Sequence, residues 1–333
     1  AIGITFFAIS LWLFSYELLM PIASIIVLLG FMLFSLNITI TSIKADKKEI
    51  QTWFIGAASI WLFLTGLLGT LIVFNYRFNF FDQIHLHYLK IHAHLGMAGW
   101  FILLIMGVGS LLLPMFFISH KLNKKKMILA FFLVNTGLTA LSLDWWFTGG
   151  SKLIPVYGLI ISAAILSFVS FVYDSYKKRM RKKLDIGMKF SVLSIVLFLT
   201  PIVLGLMASL RFPNSMQLLN RISLLYGFVF IMGFVGSMIL GQIYKTLPFI
   251  IWLDKYKDRI GKEKTIMPRE LYSEKMASLQ FRAYVPAIVL LTTGILISNK
   301  PVLFIGSIFL LLCTLAYVWN VFMMFLHKPK DLK

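Results

Sequence analysis

Apolar runs of roughly 20 residues, almost free of charge, recur along the whole sequence, and this is the length a helix needs to cross a hydrocarbon core. They place candidate spans at 1–19, 22–43, 52–75, 91–117, 127–147, 153–174, 189–210, 222–247, 284–299 and 301–326. The expected fold is all-α: a polytopic transmembrane bundle of about ten helices, forming a single integral membrane domain over residues 1–333. Composition agrees, with 59% hydrophobic residues and only 14% charged ones.

A formal charge of +19 would point to nucleic acid in a soluble chain. Here Lys and Arg concentrate in connections at 44–48, 121–126, 177–189 and 245–275 and in the tail from 328, alternating with basic-poor connections at 17–21, 76–90, 148–152, 211–221 and 299–300. Such alternation is a topology signal, so the expected partner of this charge is the lipid bilayer and no nucleic acid is called for. It assigns the basic loops to the cytoplasm and residue 1 to the outside. The wealth of Lys, Ile and Phe fits a bacterial inner (cytoplasmic) membrane. Residues 1–19 show neither the basic n-region nor the small-residue cleavage site of a secretory signal. The lone Cys313 lies in an apolar run, which leaves no internal disulfide and no CxxC motif. The stretch 249–283 is the longest polar segment and reads as a cytoplasmic connector. It has the makings of an interfacial helix, with Trp252, Tyr256, Ile260, Leu271 and Tyr272 toward lipid.

Four of the six histidines, His85, His87, His92 and His94, precede or open the fourth span, which this topology has entering from the outer face. Metal-competent groups at membrane depth are costly unless partnered and mark a functional site by default. The same helix has a possible counterpart. Laying Leu113-Pro114 over Leu247-Pro248 brings Gly99 onto Gly233 and Gly107 onto Gly241, with His92 on Tyr226 and His94 on Phe228. Small residues at this spacing let a neighbouring helix or a flat ligand approach the backbone, and the proline is expected to end each helix.

A His-x-His pair at the outer end of a membrane helix, with a proline 22 residues after the first histidine, resembles the haem-ligating helix of heme-copper oxidase subunit I. The run His92-Ala93-His94, Gly99, Gly107, Pro114 is also similar to the first histidine helix of NnrS-type membrane haem and copper proteins, and ILGQIYKTLPFIIW resembles helices of divergent subunit I relatives. The resemblance implies a bundle of four-helix pseudo-repeats and b-type haem. It departs where the family needs further histidines for a low-spin haem and copper. After His94 there remain only His120, beside a basic loop, and His327, in the tail, so a complete haem-copper centre with proton pumping is not expected.

Neutral imidazole binds haem iron, copper and zinc. His92 and His94 stand about 200° apart on an ideal helix, which suits a planar cofactor on one of them, or two sites, rather than one chelate. His85 and His87 leave open a three-histidine copper or zinc site with one of the pair. An axial partner is sought among His85, His87 and Met207. Arg211 and Arg221 are placed to pair with haem propionates or another anion, and Asp144, beside Trp145 and Trp146, to orient an imidazole or meet an arginine. Tyr226, Tyr157 and Gln242 are candidates for a polar path or a quinone pocket. The expected function is therefore haem binding near the outer face, for electron transfer or nitric-oxide or oxygen handling, with a quinol or cytochrome as electron donor. Enzymatic turnover, if present, would be that of an oxidoreductase. Two other readings stand beside it: a non-catalytic copper- or zinc-binding protein using His85, His87, His92 and His94, and a membrane subunit whose histidines face other subunits.

Overall fold

The computed structural model describes residues 2–13, 15, 17–47, 49–120, 122–180, 182–210, 212, 215–260 and 265–328, and among them no strand occurs. The helices are α1 (Ile2–Trp12), α2 (Leu19–Lys44), α3 (Ile50–Phe78), α4 (His85–Phe117), α5 (Lys125–Thr148), α6 (Ile154–Lys177), α7 (Ile186–Ser209), α8 (Met216–Arg259), α9 (Glu274–Ile297) and α10 (Lys300–Leu326). Among the described residues nine of these, α2 to α10, are long and apolar enough to cross a membrane, and α1 is a shorter apolar helix. This is a multi-pass helical membrane protein in contact with the lipid bilayer. Large apolar side chains such as Leu33, Leu111, Phe304 and Phe322 stay more than half exposed because lipid, not protein, is their solvent.

The chain forms two compact units, Ala1–Arg181 and Lys182–Lys333. In the first, Lys124 pairs with Glu49 at 2.7 Å and Lys126 with Asp174 at 2.5 Å, and Ser119 and Ser175 hydroxyls lie 2.6 Å apart. The connections near 44–48 and 121–126 therefore share one end of the unit with the C-terminus of α6. The hydrogen bond with Lys124, and its charge, hold the Glu49 carboxyl below its ordinary range. At the opposite end Arg77 donates to the Glu17 carbonyl at 3.1 Å, and the histidine segment meets the C-terminus of α5. In the second unit the N-termini of α7 and α9 gather with the C-terminal parts of α8 and α10: Lys245 pairs with Asp185, Asn320 accepts from Ser273 N–H at 3.0 Å, and Tyr256 meets His327 at 2.8 Å.

Both α4 and α8 change hydrogen-bond register midway. Leu95–Ile102 and Val229–Gly236 are π-helical, and the offset that carries Leu113-Pro114 onto Leu247-Pro248 carries one of these segments onto the other. Helix lengths follow suit, with α5 and α9 each 24 residues long. The glycines on this offset lie against the preceding helix in each unit. A Cβ on Gly107 would stand 2.6 Å from Phe54 Cβ of α3, and one on Gly241 would stand 2.7 Å from the Gly187 carbonyl oxygen of α7.

Three expectations change. Pro114 does lie in the last turn of its helix, but Pro248 sits inside α8, which runs on to Arg259. The residues beyond Pro248 find a core to bury in: Ile251, Leu271 and Met324 pack together with Trp252 and Tyr272 around them, and Trp252 Nε1 donates to the Ile266 carbonyl at 2.6 Å. The connector therefore folds back onto helix ends of its own unit, and of the five proposed lipid-facing residues only Ile260 is exposed, to about half its surface. Burial lifts the Tyr272 phenol to about 12. Likewise α9 begins at Glu274, capped by the Ser273 hydroxyl, ten residues before the sequence-based start, because Ala277, Gln280 and Ala283 turn inward.

The close approach of α3 and α4 is testable. Gly107→Ala puts a methyl against the stem of Phe54, where backbone must shift, and is expected to cost about 1–3 kcal/mol. Gly30→Ala, which meets nothing within 4 Å, is expected to be neutral or slightly stabilising by helix propensity. Thermal melting of the two variants in detergent checks the contrast.

Candidate functional site at the histidine end of the first unit

The site is built where α3 ends, α4 begins and α5 ends. Asn75, 1% exposed, anchors it: its Oδ1 accepts Phe81 N–H at 2.8 Å, which turns the chain after α3, and its Nδ2 faces His85 Nε2 at 2.9 Å. An amide nitrogen only donates, so His85 accepts there and carries its proton on Nδ1. Its ring stacks on Tyr76 with centroids 4.2 Å apart. His87 Nε2 lies 2.9 Å from the Trp145 carbonyl, which only accepts, so that nitrogen carries the proton. Both of these histidines tie down the entry to α4.

His92 and His94 are held differently. His92 Nδ1 lies 2.9 Å from the Thr65 carbonyl of α3, and its ring lies on Gly69, where a Cβ would stand 2.8 Å from Cε1. His94 Nδ1 lies 2.9 Å from the Lys90 carbonyl, one turn earlier on its own helix, and its ring stands edge-on to Trp145 at 4.8 Å. A carbonyl oxygen fixes the proton on Nδ1 in both rings, so each neutral imidazole carries its lone pair on Nε2. His92 Nε2 makes no hydrogen bond among the described residues. One ring faces α3 and the other α5, the divergence expected from their spacing. The π segment starts directly after them at Leu95, and such segments recur at functional sites.

Beside His94, Trp145 carries a buried Nε1 without a partner, and Ser142 on the same helix carries a second such atom, its Oγ. Both sit on α5 one turn apart. The Lys90 ammonium lies 4.6 Å from the Trp145 ring centroid, a cation–π contact that puts positive charge beside the indole. One turn deeper, Trp61 of α3 lies flat against Gly99, where a Cβ would stand 2.6 Å from Trp61 Cβ, and its Nε1 donates to Asn135 Oδ1 of α5 at 2.9 Å. This bond clasps the π segment between its two neighbours.

The other sequence candidates sort as follows. Among the described residues no three or more His, Cys, Asp or Glu side chains gather to hold a metal, so the three-histidine copper or zinc site of His85, His87 and one of His92 or His94 is not assembled. The reason is local: His85 and His87 each spend a ring nitrogen on the end of a neighbouring helix, at Asn75 of α3 and the Trp145 carbonyl of α5, and His92 and His94 face different helices. Asp144 orients no imidazole. Its carboxylate accepts from Thr148 Oγ1 at 2.5 Å and from Ser151 Oγ at 2.6 Å and N–H at 3.3 Å, closing the α5–α6 turn. Arg211 lies outside the described residues. Arg221 belongs to the second unit and donates to the Leu296 carbonyl at 3.2 Å. Tyr226, also of that unit, lays its ring on Gly205 of α7, with Cε2 3.1 Å from where a Cβ would be, much as His92 lies on Gly69. Gln242 donates to Ser191 Oγ at 2.9 Å.

Sequence reasoning passed over Asn75 and the α3 stripe Trp61, Thr65 and Gly69. The stripe's spacing of four residues was the available signal. Compared with protein-family models and with curated proteins, the chain matches none.

Asn75→Leu removes both partners of a buried turn and leaves the Phe81 N–H unpaired. Its expected cost is about 1–3 kcal/mol, read as a lower melting temperature in detergent, with the His85 ring released in its NMR or hydrogen-exchange signature.

Proposed function

We propose that this chain is a membrane haem protein related to heme-copper oxidase subunit I, holding b-type haem through Nε2 of His92 or His94. The observation that carries the reading is the pair of Nδ1–H bonds to main-chain carbonyls. Metal-ligating histidines commonly donate the second nitrogen in this way, which sets the tautomer and raises ligand basicity. The donor set fits haem better than a lone copper or zinc ion, because it offers single imidazoles on separate faces rather than a chelating group.

Thr65 and Lys90 would orient the two imidazoles through their carbonyls. Trp145 Nε1 and Ser142 Oγ can each donate to a ligand acceptor, and the Lys90 ammonium favours a carboxylate there. Haem, when bound, supplies one-electron transfer and, with an open coordination position, binding of nitric oxide or oxygen. A quinol or cytochrome would be the electron donor. The two units support the finer fold reading, a tandem of four-helix pseudo-repeats in which α3–α6 corresponds to α7–α10, with Tyr226 standing where the first copy has His92. By the positive-inside rule the basic ends lie in the cytoplasm and the histidine end faces outward, in a bacterial inner membrane.

A reduced-minus-oxidised spectrum with a pyridine hemochrome assay on detergent-purified protein tests this. The expected result is about one haem b per chain, lost in His92→Ala or in His94→Ala and retained in His87→Ala. Absence of a Soret band in the wild type overturns the haem reading. Stoichiometric copper or zinc would then indicate a metal protein, and co-purifying subunits with neither would indicate a structural role.

A further inference from the structure

Away from the histidines, at the basic end of the first unit, a groove of about 230 Å³ opens between α2 and α3, lined by Thr39, Ser42, Ile43, Thr52, Trp53, Gly56 and Ile60. The lining follows one stripe of each helix. Thr39, Ser42 and Ile43 lie on a single face of α2, and Thr52, Gly56 and Ile60 recur every four residues on α3.

Three hydroxyl-bearing residues, Thr39, Ser42 and Thr52, line this groove, and none of their hydroxyls is hydrogen-bonded among the described residues. That is unusual on these helices. Elsewhere Thr41 donates to the Asn37 carbonyl, Ser59 to Gly56 and Thr65 to Trp61, the back-bonding that satisfies a hydroxyl at membrane depth. The groove hydroxyls stay available to a ligand acceptor. Gly56 keeps the floor low: a Cβ there would meet only Ser42, at 3.6 Å.

Charge selects among acceptors. The connection after Ile43 carries Lys44 and Lys47 with Lys48 in sequence, and 121–126 adds Lys121, Lys124, Lys125 and Lys126. Of the acids nearby, Glu49 is paired with Lys124 and Asp174 with Lys126, and Asp46, between Lys44 and Lys47, is outnumbered by the lysines of the two connections. Ile43, Ile60 and Trp53 supply an apolar wall continuous with the lipid-facing surface of α2, where Leu36 and Ile40 are about half exposed.

We propose that this groove binds the headgroup of an anionic phospholipid, with the phosphate accepting from Ser42, Thr39 and Thr52, the charge met by Lys44 and Lys47, and an acyl chain lying along Ile43 and Ile60. Basic sites between membrane helices select acidic lipids in this way. The site is independent of the haem reading.

The test uses the full chain purified in dodecyl maltoside from a bacterial membrane. Co-purifying phospholipid is counted by class by mass spectrometry, and phosphatidylglycerol or phosphatidylcholine is titrated into delipidated protein with melting temperature as readout. The wild type is expected to retain about one anionic lipid per chain and to be stabilised by phosphatidylglycerol more than by phosphatidylcholine. Gly56→Leu, which fills the groove, and the pair Lys44→Gln/Lys47→Gln, which leaves it open, are each expected to lower retention about fivefold. The lysine pair lies outside the packed helix contact, so it keeps the test valid if Gly56→Leu fails to fold. Equal retention of both lipid classes overturns the proposal, as does retention unchanged in the lysine pair. A quinone held by the wild type and lost in Gly56→Leu would assign the groove to a quinone instead.

Discussion

Inside a hydrocarbon layer every donor and acceptor must find its partner within the protein, and the entry to α4 is organised by that requirement. Four histidines, an asparagine and three main-chain carbonyls exchange hydrogen bonds at the junction of α3, α4 and α5. Removing Asn75 from this set would orphan a backbone amide and a ring nitrogen together. The same accounting explains why Asp144 serves the α5–α6 turn. Three donors from Thr148 and Ser151 already stand there, and a carboxylate settles where donors are supplied.

The π segments show one structural need met by two sets of side chains. In the first unit Trp61 and Asn135 bond to each other across Gly99, from α3 to α5. In the second, side chains from the matching helices bond the segment's own carbonyls: Ser194 of α7 donates to Phe234 O at 2.7 Å, and Tyr284 of α9 donates to Met232 O. Tyr284 falls on Asn135 when α9 is laid over α5 from their first residues. In both units a flanking pair clasps the register change, but only the first unit places histidines ahead of it.

Much of this was legible in the sequence. Hydropathy located all nine long spans because lipid exposure leaves no choice of residue type, though its first candidate of ten, 1–19, holds only the shorter α1 (Ile2–Trp12), and glycine spacing marked which helix would be closely packed. What escaped was set by neighbours in space. The π register depends on how Trp61 lies over Gly99, and no local pattern announces it. Pro248 reads as a helix end until the core around Ile251, Leu271 and Met324 is known. The polar run from Glu274 reads as connector, yet Gln280 is fully buried because Tyr244 OH donates to it at 2.5 Å. The histidine cluster was found as a group, but its division into two rings bonded to the ends of α3 and α5 and two rings held through Nδ1–H follows only from which carbonyl or amide each ring meets.

That division carries a further physical point. Aspartate or glutamate commonly orients a ligand histidine in water-soluble sites, but a carboxylate at membrane depth costs several kcal/mol unless it too is paired. Here the acceptors are the carbonyls of Thr65 and Lys90, which bring no net charge and cannot be removed by a change of side chain. Position 69 remains the sensitive one, since any side chain there would occupy the place of the His92 ring. The orientation of the His92 and His94 rings is thus set by backbone carbonyls and, for His92, by one glycine, with no buried acid added to the bundle.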